Sequence, residues 1–120
     1  MAKTILLAAA DPNIAYLLQR YAEESGFATV SAHESQAALD LAHRARPALI
    51  IVEVDRPSMT GRQMLAQLKA EPRTSDIPIV VYSYSDEETE EPPAGAAGRL
   101  TQAVLFDDFL TMLENVGVKP

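Results

Sequence analysis

The spacing of apolar positions changes along the chain, and each change marks a new type of element. Ile5, Leu6, Leu7 and Ala8 form an unbroken apolar run, read as a buried first strand, which stops at Asp11-Pro12-Asn13. There Asp suits a helix N-cap and Pro suits the first helical position. Ile14, Leu17, Leu18 and Tyr21 then recur at i, i+3, i+4 and i+7, which predicts an amphipathic helix stopped by Ser25-Gly26. Residues 27–31 are β-prone. Ser35 is positioned to cap a second helix running to about Arg46, with Ala38, Leu39 and Ala42 inward, and Pro47 breaks it.

Residues 48–54 are apolar apart from Glu53, the pattern of a strand covered on both faces. A loop with Asp55, Arg56, Pro57, Ser58 and Gly61 follows. Met64, Leu65 and Leu68 then mark a third helix ended by Glu71-Pro72. Residues 77–82 predict a fourth strand and the neighbourhood of Leu100 a weak fifth. Phe106, Phe109, Leu110 and Leu113 repeat the helical spacing in a last helix closed by Gly117. Strands alternating with helices imply βαβ units with right-handed crossovers, a parallel sheet and a three-layer α/β domain. Residues 85–95 lack any apolar period and hold five of the chain's 17 acids, so the helix expected between the last two strands is read as short, irregular or missing, an acidic loop in its place.

Composition narrows the chemistry. At 120 residues the chain is expected to be one domain spanning 1–120. Ten Lys and Arg against 17 Asp and Glu leave a net charge of −7, which disfavours nucleic acid and anionic membrane as partners. With no cysteine, disulfides, thiolate catalysis and Cys-based zinc sites are excluded. Residues 5–10 are too short an apolar run to span a membrane, so a cytoplasmic location is expected. His33 and His43 stand ten apart with no companion ligands and are read as surface residues.

The whole length, from about residue 3 to 117, resembles the receiver domain of two-component response regulators. The resemblance is carried by residues 5–12, by Arg46-Pro47-Ala48-Leu49-Ile50-Ile51-Val52-Glu53, by Pro57 and Gly61, and above all by Leu68-Lys69-Ala70-Glu71-Pro72-Arg73-Thr74-Ser75-Asp76-Ile77-Pro78. It implies a flavodoxin-like αβα sandwich whose five-stranded parallel sheet has the order 2-1-3-4-5, with the site at the carboxyl ends of the strands. It also implies an acidic pair after strand one that holds Mg²⁺, an aspartate ending strand three that takes a phosphoryl group, a hydroxyl ending strand four and a Lys-Pro after strand five.

This sequence departs at nearly every one of those positions. Ala9 and Ala10 replace the acidic pair, so Mg²⁺ binding is expected to be lost or very weak and no cofactor is expected. Glu53 stands at the phosphoacceptor position with its carboxylate one methylene further out, and a misplacement of about 1 Å can cost about 10²-fold. Ser83 keeps the hydroxyl, but Gln102 replaces the lysine and carries no charge to offset an acyl phosphate. Ala103 replaces the proline, so a trans peptide is expected there, a cis bond costing about 2.5–4 kcal/mol. Arg99 occupies the aromatic switch position.

Several readings stay open at this level. Glu53 is a fixed mimic of the phosphorylated state, or a carboxylate whose metal charge is replaced by Arg56, or an ordinary strand-terminal acid held by water and Ser83. Asp11 is an N-cap or a lone metal ligand, and Asp55 is a position that the family pattern uses through its backbone carbonyl, or a displaced phosphoacceptor. Tyr82 or Tyr84 covers the vacated pocket, or Tyr82 is simply core. The leading expectation is a non-enzymatic pseudo-receiver that works through protein–protein interaction with a signalling partner, a histidine kinase or another regulator, using the last helix and the acidic loop. The alternatives are residual phosphorylation of Glu53 or Asp55 by a histidine kinase, and small-ligand binding at the switch point of the sheet.

Overall fold

The computed structural model describes residues 2–54, 59–83 and 95–120. Along the chain lie β1 (Thr4–Ala8), α1 (Pro12–Glu24), β2 (Ala28–Ala32), α2 (Ser35–Ala45), β3 (Leu49–Glu53), α3 (Met59–Ala70), β4 (Ile79–Ser83), β5 (Gly98–Thr101) and α4 (Phe106–Val116). All strands pair in parallel in the order β2-β1-β3-β4-β5. Asp55, Arg56, Tyr84 and the acidic stretch 85–94, with the irregular helix expected there, lie outside the described residues.

The period of two along the strands sorts the core into two halves. Ile5, Leu7, Leu49, Ile51, Val80, Tyr82 and Leu100 pack on Leu18 and Ala22 of α1 and Phe109, Met112 and Leu113 of α4. The alternate residues Leu6, Ala8, Ile50, Val52, Ile79 and Val81 pack on Ala38 and Ala42 of α2 and Met64, Leu65 and Leu68 of α3. The sheet is thus covered on both faces, which explains why its inner strands β1, β3 and β4 read as nearly continuous apolar runs while the edge strands β2 and β5 do not. Tyr82 belongs to this core, with 1% of its surface exposed.

Local chemistry sets the boundaries. The Asp11 side chain accepts the Asn13 N–H at 2.8 Å, with Pro12 following it in the first helical position. Gly26 (φ +95°) follows α1 and Gly117 (φ +75°) closes α4, both in the left-handed region where a side chain is disfavoured. The Arg46 guanidinium, next to the αL backbone that ends α2, donates to the Arg73 carbonyl. Buried Thr74 donates its hydroxyl to the Leu68 carbonyl at 2.6 Å and so shapes the turn after α3.

Four expectations shift. The N-cap of α2 is Glu34, with Ser35 already helical. Gly61 lies inside α3 and not in the preceding loop. β4 starts at Ile79, because the Ile77 N–H bonds to the Thr74 carbonyl in a turn and Pro78 has no N–H to donate. In α4, Leu110 is 37% exposed while Met112 is buried, so the inward stripe is narrower and rotated towards Met112.

Candidate functional site

The site expected at the carboxyl ends of the strands centres on the turn Ala9-Ala10-Asp11 between β1 and α1. β1 pairs with β3 so that Ala8 faces Val52, which brings the last residue of β3, Glu53, beside this turn. By strand alternation Glu53 is in phase with Ile51, on the side of the sheet that α1 covers. Its half-buried carboxylate Oε1 accepts the Ala10 N–H at 2.9 Å and the Asp11 N–H at 3.3 Å. The reading of Glu53 as an exposed acid held by water and Ser83 is therefore replaced by one in which backbone amides hold it.

The neighbouring strand reaches the same turn from the other side. β1 pairs with β2 so that Ala8 faces Ala32, and the next residue, His33, places Nδ1 2.9 Å from the Ala9 carbonyl oxygen. A carbonyl only accepts, so Nδ1 carries the proton in this contact. His33 is exposed, as expected for a surface residue, but its ring holds the turn, a function that the sequence reading missed. The contact follows from the parallel register of β1 and β2, which ends with Ala8 opposite Ala32 and so brings residue 33 near residue 9, a pairing that the sequence does not carry by itself. His43 of α2 is half-buried, with Nε2 3.2 Å from Oε2 of Glu71, the residue after α3, within ion-pair reach though not aligned as a hydrogen bond.

The remaining candidates lie further along the sheet. Ser83 ends β4 and is half-buried, and its carbonyl accepts the Gln102 N–H at 3.0 Å. Gln102 and Ala103 are both exposed in the turn after β5. Arg99 sits in β5 opposite Val81 and lines a cleft of about 300 Å³ with Thr101, Asp108, Thr111 and Asn115. This cleft lies between β5 and α4, two strands from Glu53. The Asp108 carboxylate at its edge accepts the Leu105 N–H at 2.8 Å and so caps α4.

The geometry matches a known family. The model of the response regulator receiver domain matches residues 5–113. The chain belongs to that family. Protein PilH of Pseudomonas aeruginosa is 27% identical over 115 residues, covering 93% of each chain. The phosphate regulon transcriptional regulatory protein PhoB of Escherichia coli is 30% identical over 111 residues, which cover 92% of this chain and 45% of PhoB. The chemotaxis response regulator CheY4 of Vibrio cholerae superposes with a TM-score of 0.83 at 23% identity, over 97% of this chain and 99% of CheY4. The chain is thus a receiver domain of two-component signalling, with the flavodoxin-like fold.

Receiver domains normally bind Mg²⁺, and the described residues do not fit that ion. A hard divalent cation needs several oxygen ligands in a fixed shell. The side chains of Ala9 and Ala10 offer only methyl groups, Asp11 Oδ1 accepts the Asn13 N–H, and Glu53 Oε1 accepts two N–H groups. Among the described residues no group of three or more His, Asp or Glu could hold a metal ion. No described helix is long and apolar enough to cross a membrane.

Proposed function

We propose that this chain is a pseudo-receiver, a single domain over residues 1–120 that signals in the cytoplasm by phosphorylation-independent protein–protein interaction, with a histidine kinase or another regulator as partner. The observation that carries this reading is the Glu53 carboxylate, bound to the Ala10 and Asp11 N–H groups of a turn that has alanine at positions 9 and 10. A phosphoacceptor attacks through a carboxylate oxygen while cations offset the charge of the phosphoryl group. Here one oxygen already accepts two hydrogen bonds, positions 9 and 10 supply no ligand, and position 102 is a neutral amide. The net charge of −7 further supports a protein partner over nucleic acid or an anionic membrane.

The test is a two-dimensional amide NMR titration with Mg²⁺ and then beryllofluoride, a phosphoryl analogue. The amides of Glu53, Ser83 and Gln102 should hold their positions through millimolar additions. A saturable shift at these three would show a working phosphoryl pocket and overturn the reading.

A further inference from the structure

The turn between β1 and α1 has no polar side chain at positions 9 and 10 to satisfy its backbone, yet three of its polar backbone groups are bonded to side chains from neighbouring strands. The Ala9 carbonyl meets His33 from β2, and the Ala10 and Asp11 N–H groups meet Glu53 from β3. The bonds continue into the helix. Asp11 receives Glu53 at its N–H, presents Oδ1 to the Asn13 N–H at 2.8 Å, and presents its carbonyl to the Ala15 N–H at 3.0 Å. One turn beyond Asn13 stands Tyr16, 60% exposed, with the Arg20 guanidinium 6.0 Å above its ring and donating to its hydroxyl at 3.2 Å.

We propose that Glu53 is a positioning residue, whose carboxylate sets the β1–α1 turn and through it the first turn of α1 and the exposed Tyr16–Arg20 surface. The inference rests on the hydrogen-bond geometry and stands apart from whether phosphorylation is lost. Reach and charge both matter. A carboxylate one methylene shorter falls back by about 1.5 Å, the length of a carbon–carbon bond. From starting distances of 2.9 and 3.3 Å it cannot keep both amides within hydrogen-bond range. The alanines are part of the same device, since acidic side chains at 9 and 10 would repel the Glu53 carboxylate from these amides unless a cation stood between them. Glu53 and the two alanines thus form a turn that is complete without a metal.

The experiment is native-state amide hydrogen exchange with chemical-shift mapping on the full chain and on Glu53→Asp and Glu53→Gln. Exchange is normalised to Val80 and Val81 in β4, which report global opening. In Glu53→Asp, exchange at Ala10 and Asp11 should rise about tenfold or more, in line with the loss of charge-assisted hydrogen bonds, and the Asn13 and Tyr16 amides should shift. Glu53→Gln keeps the reach and an acceptor oxygen, so the rise should be smaller and Tyr16 should stay near its original position. Normalised exchange within about twofold of the parent in Glu53→Asp would overturn the inference. So would an unmoved Tyr16 in that variant, or equal effects of the two substitutions. Neither readout uses Mg²⁺ or a phosphoryl analogue, so failure here is distinct from failure of the pseudo-receiver reading.

Discussion

Ala10→Asp tests the electrostatics of the turn directly. Ala10 is exposed, so the new side chain fits, and its carboxylate would lie roughly 5 Å from that of Glu53, whose Oε1 is 2.9 Å from the Ala10 nitrogen. Two unit charges at about 5 Å repel by about 0.8 kcal/mol in a water-like dielectric and about 3 kcal/mol at an effective value of about 20. Solvent exposure at Ala10 places the penalty near the lower figure, about 1 kcal/mol. An acid at the start of a helix is favoured by about 0.3–1 kcal/mol, which partly offsets the penalty in the single variant. That contribution cancels in a double-mutant cycle with Glu53→Gln, which isolates the pairwise repulsion. In urea unfolding with EDTA at low salt, a coupling of about 1 kcal/mol moves the midpoint by about 0.5 M for a slope of about 2 kcal/mol per molar. The coupling should shrink in about 1 M salt, where the screening length is about 3 Å. A coupling below about 0.3 kcal/mol at low salt would refute the placement of Glu53 against this turn.

Two further substitutions test how the fold supports the site. Phe109→Ala removes a fully buried ring that packs 5.8 Å from Tyr21, and should cost about 3–5 kcal/mol by urea unfolding, a loss under 1 kcal/mol counting against the packing of α4. Thr74→Val leaves the Leu68 carbonyl without its hydroxyl donor and should cost about 1–3 kcal/mol, read as a lower thermal midpoint. An unchanged midpoint would mean that the hydroxyl does not hold the turn after α3.

The helices and strands were legible because each buries a face of its own period. Ile14, Leu17, Leu18 and Tyr21 and the strand run 49–52 pointed to α1 and β3 before any tertiary information. Boundaries were less legible where one backbone bond decides them. Ile77 carries the apolar character of a strand, yet the Thr74 carbonyl takes its N–H. Leu110 continues the helical period of α4, yet the stripe facing the sheet is narrower than that period allows.

The candidate site divides in the same way. It was the resemblance to receiver domains that singled out Ala9, Ala10, Glu53, Gln102 and Arg99, whereas local order was enough to make Asp11 the cap of α1, because capping involves residues two apart on one stretch of chain. What Glu53 does with its carboxylate was out of reach, since its partners are 42 and 43 residues away and are backbone N–H groups that every non-proline residue carries. His33 meets Ala9 across 24 residues for the same reason. Side-chain identity and periodicity settle which elements form and which faces they bury. Only the parallel register of β2, β1 and β3 decides which side chains meet the bare turn between β1 and α1, because that register is set by the packing of the whole sheet.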